Sequence, residues 1–125
     1  MRDSRRDVAL GIHDFPAFIL GFDFIIYNVN EAFCDVLGAP KEKIEGHPLR
    51  EFVLRDDLYA LKDAIFELRQ GRKKRFHFSR HIKTAQQVVM DSNLSLSLYK
   101  DEFGNAEGIM VLVSLNEDVD LNLKS

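Results

Sequence analysis

The chain has 125 residues, with 17 lysines and arginines against 20 aspartates and glutamates, a net charge of −3, and 46% hydrophobic and 10% aromatic residues. That length and apolar content support one packed domain and exclude a disordered linker, and the acidic balance lacks the positive excess with which nucleic-acid binders grip phosphates. A single cysteine, Cys34, excludes an internal disulfide and fits a reducing compartment. The longest apolar run, 15–26, is broken by Pro16, Gly21 and Asp23 and is too short to span a bilayer, so a cytoplasmic domain with no membrane span is expected.

Residues 1–14 read as a short amphipathic flanking helix, with Val8, Ile12 and Phe15 at i, i+4 and i+7 and Pro16 ending it. The apolar, aromatic runs Ala17 to Leu20 and Phe24 to Val29, joined at Gly21-Phe22-Asp23, read as a β-hairpin. Asn30 is placed to cap a helix ending at Leu37, with Gly38 as its stop. Two short helical turns follow, Pro40 to Glu45 and Pro48 to Val53. Asp56 or Asp57 is expected to cap the longest helix, which runs to Gln70 and turns at Gly71, with Leu58, Leu61, Ile65 and Leu68 as its sheet-facing stripe.

The last third reads as strand. Between Lys74 and Ile82 the even positions Phe76, Phe78 and Ile82 are apolar, and between Val88 and Leu98 so are Met90, Leu94, Leu96 and Leu98. A three-residue loop, Thr84 to Gln86, would pair Lys83 with Gln87 and keep both even sets on one face. Asp101 to Asn105 forms the next turn. Ile109 to Leu115, aliphatic except for Ser114, fits a central strand.

The order of these signals carries a resemblance. Asn30, Phe33, Leu37-Gly38, Ile44, Gly46 and Leu49, then Asp101-x-x-Gly104, Gly108 and Asp118-Val119, resemble the core pattern of PAS sensor domains. The departures are Phe24, where many members have glycine, Lys83 to Gln86 in place of an Asp-Gly corner, and Asp120 in place of threonine. The resemblance implies an α+β fold: a five-stranded antiparallel sheet in the order 2-1-5-4-3, with short helices and one long helix on one face. It places the sensor domain at residues 15–120 and the start of a linker or tail at 121–125. It also implies a homodimer, helped by the N-terminal helix, and a linked or separate signalling output domain.

The chemistry such a chain holds is limited. No nucleotide-loop, zinc-protease or nucleophile-elbow motif occurs, and acid pairs such as Asp56-Asp57 read as helix-start residues, so no catalysis is expected. Haem-binding members hold iron with a histidine on the long helix, where this chain has none. Their photochemical flavin relatives use a cysteine in an Asn-Cys-Arg-Phe-Leu type segment, whereas Cys34 lies in Ala-Phe-Cys-Asp-Val and reads as a packed thiol. His77 and His81 share a strand face about 13 Å apart, too far for one metal ion, and read as solvent-facing.

There remains an apolar space between sheet and long helix. Its candidate liners are Phe33, Leu37, Leu61, Ile65, Phe76, Phe78, Met90, Leu94, Met110 and Leu112, which equally well simply fill the core. Arg80 and Ser92 interrupt the pattern at inward positions, Ser92 opposite Phe78 and Arg80 opposite Met90 in the expected register. A buried guanidinium needs a counter-charge, so Arg80 either holds the carboxylate of a small acidic ligand or pairs with an acid of the protein.

Overall fold

A computed structural model describes residues 15–115. The expected helix over 1–14 and everything after Leu115 lie outside the described residues. Five strands, β1 (Ala17–Leu20), β2 (Ile26–Val29), β3 (Phe76–Lys83), β4 (Val89–Lys100) and β5 (Ala106–Leu115), form one antiparallel sheet in the order β2-β1-β5-β4-β3. Two α-helices, α1 (Glu31–Leu37) and α2 (Arg55–Arg69), and two 3-10 turns, Lys41–Lys43 and Leu49–Glu51, fill the long connection between β2 and β3.

The β1–β2 connection is longer than the expected hairpin turn. β2 begins only at Ile26, and Phe24 sits at φ 67°, a left-handed conformation that an aromatic side chain resists by about 1 kcal/mol. Asn30 does more than cap α1. Its Oδ1 accepts the Phe33 N–H at 3.0 Å and the Ala17 N–H at 3.1 Å, and its amide donates to the Phe15 carbonyl at 2.7 Å. One side chain therefore starts α1 and fastens it to β1. Gly38 ends the helix at φ 71°.

The interior lies between the helices and one face of the sheet. Phe18, Leu20, Ile26, Phe33, Leu37, Leu68, Ile82, Leu96 and Ile109 are each no more than 2% exposed, and the Phe18 and Phe33 rings meet at 4.7 Å. α2 turns Leu61, Ala64, Ile65 and Leu68 inward, with Leu58 half-buried beside them. Gly108 is required where β5 passes β1, because a Cβ there would stand 2.5 Å from the Leu20 carbonyl oxygen.

Two local expectations are corrected. The N-cap position of α2 is Leu54, which has no capping side chain, and Asp57 is buried on the inward stripe of the helix. The β3–β4 register is also two residues longer than expected: Lys83 pairs with Val89, Ile82 with Met90, Arg80 with Ser92 and Phe78 with Leu94. The loop is closed by Thr84, whose N–H donates to the Val88 carbonyl at 2.8 Å and whose hydroxyl accepts the Val88 N–H at 3.1 Å, with Gln87 left-handed at φ 68°. Three-residue and five-residue loops preserve the same faces, so the alternation held while the pairing moved.

Candidate functional site

β3 is an edge strand, and its outward N–H groups need partners. The Lys83 N–H donates to the Phe52 carbonyl at 2.8 Å, and the His81 N–H donates to Asp57 Oδ2 at 2.8 Å. Asp57 thus closes the sheet edge from the first turn of α2, where the helix dipole also favours a carboxylate. The same oxygen lies 2.9 Å from His81 Nδ1, and the other, Oδ1, lies 3.6 Å from Arg80 Nη1. His81 Nε2 in turn stands 3.5 Å from Asp91 Oδ1.

This polar seam joins α2, β3 and β4. The Asp57 side chain is 4% exposed, those of Arg80 and His81 are 34% and 41%, and that of Asp91 is 72%, so the cluster runs from interior to solvent. Arg80 lies over the Phe78 ring, its guanidinium carbon 5.0 Å from the centroid, and its Nε is buried without a hydrogen-bond partner. His81, expected to face solvent, instead sits between two carboxylates. Ser92, opposite Arg80, is fully buried and donates to the Met90 carbonyl at 3.3 Å.

The candidate liners separate into groups. Phe33, Leu37, Leu61, Ile65 and Leu94 are buried together in the helix-side core, and Phe76 and Phe78 pack half-buried against it. Met90 is half-buried opposite Ile82, in neither apolar cluster. Met110 and Leu112 do not join them. They lie on the far face of the sheet, packed with Ala17, Ile19 and Tyr99, because the helix-facing residues of β5 are the alternate ones, Ile109, Val111 and Val113. A groove of about 670 Å³ opens on that far face, lined among others by Phe15, Arg75, His77, Asn93, Ser95 and Leu112.

Cys34 packs against the core, and burial pushes its thiol up from the usual value; Asp35, Glu45 and Glu31 add to the rise and Lys41 opposes it. A neutral, partly buried thiol is a poor nucleophile. Among the described residues no group of three or more histidines, cysteines or acids is placed to hold a metal ion, and no helix is long and apolar enough to cross a membrane.

The strand order, the Asn30 cap and the single long helix define a sensor-type α+β sheet domain. The chain belongs to the PAS domain family, whose model matches residues 15–117. No curated protein matches it. Among solved structures it resembles a PAS domain from Colwellia psychrerythraea, with a TM-score of 0.75 at 10% identity over 92% of this chain and 97% of that one. It also resembles the PAS domain of a two-component sensor histidine kinase, with a TM-score of 0.70 at 18% identity over 91% of this chain and 96% of that one. A PAS domain of an HTR-like protein from Haloarcula marismortui gives a TM-score of 0.70 at 19% identity, covering 91% of each chain. At these identities the likeness is one of fold.

Proposed function

We propose that the chain is the sensory module of a signalling protein. Its input is a small acidic molecule or a protein partner, and its output is a shift of α2 against the sheet, passed through the chain ends to a linked or separate output domain. One observation carries this reading: Arg80 reaches Asp57 only at 3.6 Å and keeps a buried Nε unpaired, so the guanidinium retains hydrogen-bonding capacity that a ligand carboxylate would satisfy. A carboxylate bound there competes with Asp57 and loosens the tie between helix and sheet edge. Ser92, across the strand pair from Arg80, is the second polar residue at this place. The chain itself catalyses no reaction in this reading.

A thermal-shift screen of small carboxylic acids on the wild type and on Arg80→Gln tests it. At least one acid is expected to raise the wild-type midpoint and leave the variant unmoved. If no acid separates the two proteins, the ligand role of Arg80 is wrong.

A second reading, a ligand-free dimerisation module, is supported by the buried apolar side chains of the helix-side core and by the far-face cluster of Ala17, Ile19, Tyr99, Met110 and Leu112. It makes the wild type a homodimer and Leu112→Asp a monomer in sedimentation velocity. An unchanged sedimentation coefficient in the variant would count against that face.

A further inference from the structure

We propose that the outward face of α2 is a docking surface for an acidic partner helix. Arg55, Tyr59, Lys62, Phe66 and Arg69 follow one another at spacings of four, three, four and three along α2, and all five are exposed. They alternate cation, aromatic, cation, aromatic, cation on the side of the helix away from Leu61, Ala64, Ile65 and Leu68. Tyr59 is 60% exposed and Phe66 55%, although neither ring is needed by the core.

Two of the three cations, Lys62 and Arg69, are already held in place. Lys62 Nζ lies 5.7 Å from the Phe24 ring centroid and 6.0 Å from that of Tyr59, and the Arg69 guanidinium carbon lies 4.1 Å above the Phe22 ring. Stacking of this kind restrains long side chains without neutralising them, so a partner's carboxylate meets a preorganised charge. The acids on the solvent side of the helix flank the stripe: by helical rotation Asp56, Asp63 and Glu67 centre roughly 100° round from its middle, and Glu67 is paired with Arg72 at 2.9 Å.

The spacing fits a helix as the occupant. A four-three repeat averages 3.5 residues, the period of a helix-to-helix seam, and puts the cations about 10.5 Å apart. A helix with a carboxylate every seventh residue and an apolar side chain between matches both elements. Single-stranded nucleic acid matches less well, because its bases stack on closely successive rings and the chain's net charge of −3 opposes phosphate binding. The proposal does not depend on a ligand at Arg80.

The test uses the full chain and a fluorescent peptide of about three heptads with glutamate at each a position and leucine at each d position. A second peptide carries lysine for glutamate, and a single-stranded oligonucleotide is the third probe. Anisotropy is expected to show the acidic peptide binding about tenfold more tightly than the lysine peptide, with the preference falling as salt rises. The pair Tyr59→Ser and Phe66→Ser, and separately Lys62→Glu, is expected to weaken the acidic peptide about tenfold, whereas Phe103→Ser, an exposed aromatic in the β4–β5 turn, leaves it unchanged. Hydrogen exchange of the wild type with the peptide bound reads the same footprint without any variant, as slowed exchange in α2. Equal binding of the two peptides, preference for the oligonucleotide, binding indifferent to the stripe variants, or protection away from α2 would each overturn the proposal.

Discussion

The two faces of the sheet are built from alternate residues of the same strands and differ in almost everything else. On the helix side, Phe18, Leu20, Leu94, Leu96, Ile109, Val111 and Val113 are sealed under α1 and α2, and among the described residues Asp57 is the one buried side chain that carries a charge. On the far side, Ser79 donates to Asn93 Oδ1 at 2.8 Å beside His77, Ser95 and Ser114, and the apolar cluster is small. One face has a fixed shape because closely packed atoms resist rearrangement, and the other is a mixed polar and apolar surface. Pleating alone brings the two within one strand thickness, so a disturbance at either is felt by the same backbone.

Truncation separates the faces most sharply. Leu96→Ala is expected to cost about 4 kcal/mol in urea unfolding, since the fully buried side chain leaves a cavity, and Leu112→Ala less than about 1 kcal/mol. Equal costs would mean that the far face is as tightly packed as the core. The charged seam comes next. Asp57→Ala removes the partner of both Arg80 and the His81 N–H and is expected to cost about 3 kcal/mol, whereas Asp57→Asn keeps an acceptor and costs less. Identical losses for the two would show that the ion pair, rather than the edge hydrogen bond, sets the stability there.

The smallest expected effect lies far from either face, in the β4–β5 turn. Asp101 Oδ1 accepts the Phe103 and Asn105 N–H groups, each at 2.8 Å, and these bonds, that from Asn105 foremost, hold its carboxyl below the usual carboxylate value. A lowered folded value means that the contribution is complete above the free aspartate value of about 3.9 and is lost as the pH falls through the folded value. Exchange of the Phe103 and Asn105 amides should therefore quicken on acidification, relative to the sheet, in the wild type and not in Asp101→Asn. Unchanged relative protection below that range would show that the turn holds without the carboxylate.

Much of this was legible because short-range chemistry decided it. Asn30 and Gly38 bracket α1 as their side-chain and backbone preferences require, and alternation placed Phe78, Leu94 and Leu96 on the helix side. β5 carried no such signal: its aliphatic run gives both faces the same residue types, so Met110 and Leu112 were assigned to the wrong one. The hairpin slipped by two because Gln87, neither glycine nor asparagine, occupies the left-handed position. Asp57 resembled a capping acid, since a carboxylate at a helix start is ordinary. The signal that distinguishes it was present, for Asp57 precedes Leu61, Ala64 and Leu68 at i+4, i+7 and i+11, the positions of the buried stripe.

The pairing of β1 with β5, Ala17 opposite Leu112, joins residues from nearly opposite ends of the described chain at the centre of the sheet. Local contacts in α1, α2 and the β3–β4 hairpin form without closing a long loop, but this pair closes almost the whole domain. Folding should therefore be governed by a late, topologically distant step, slower than the helical content alone would predict. During synthesis the edge of β1 opposite β2 stays unpaired until β5 has left the ribosome, and this interval is when the chain is most exposed to aggregation.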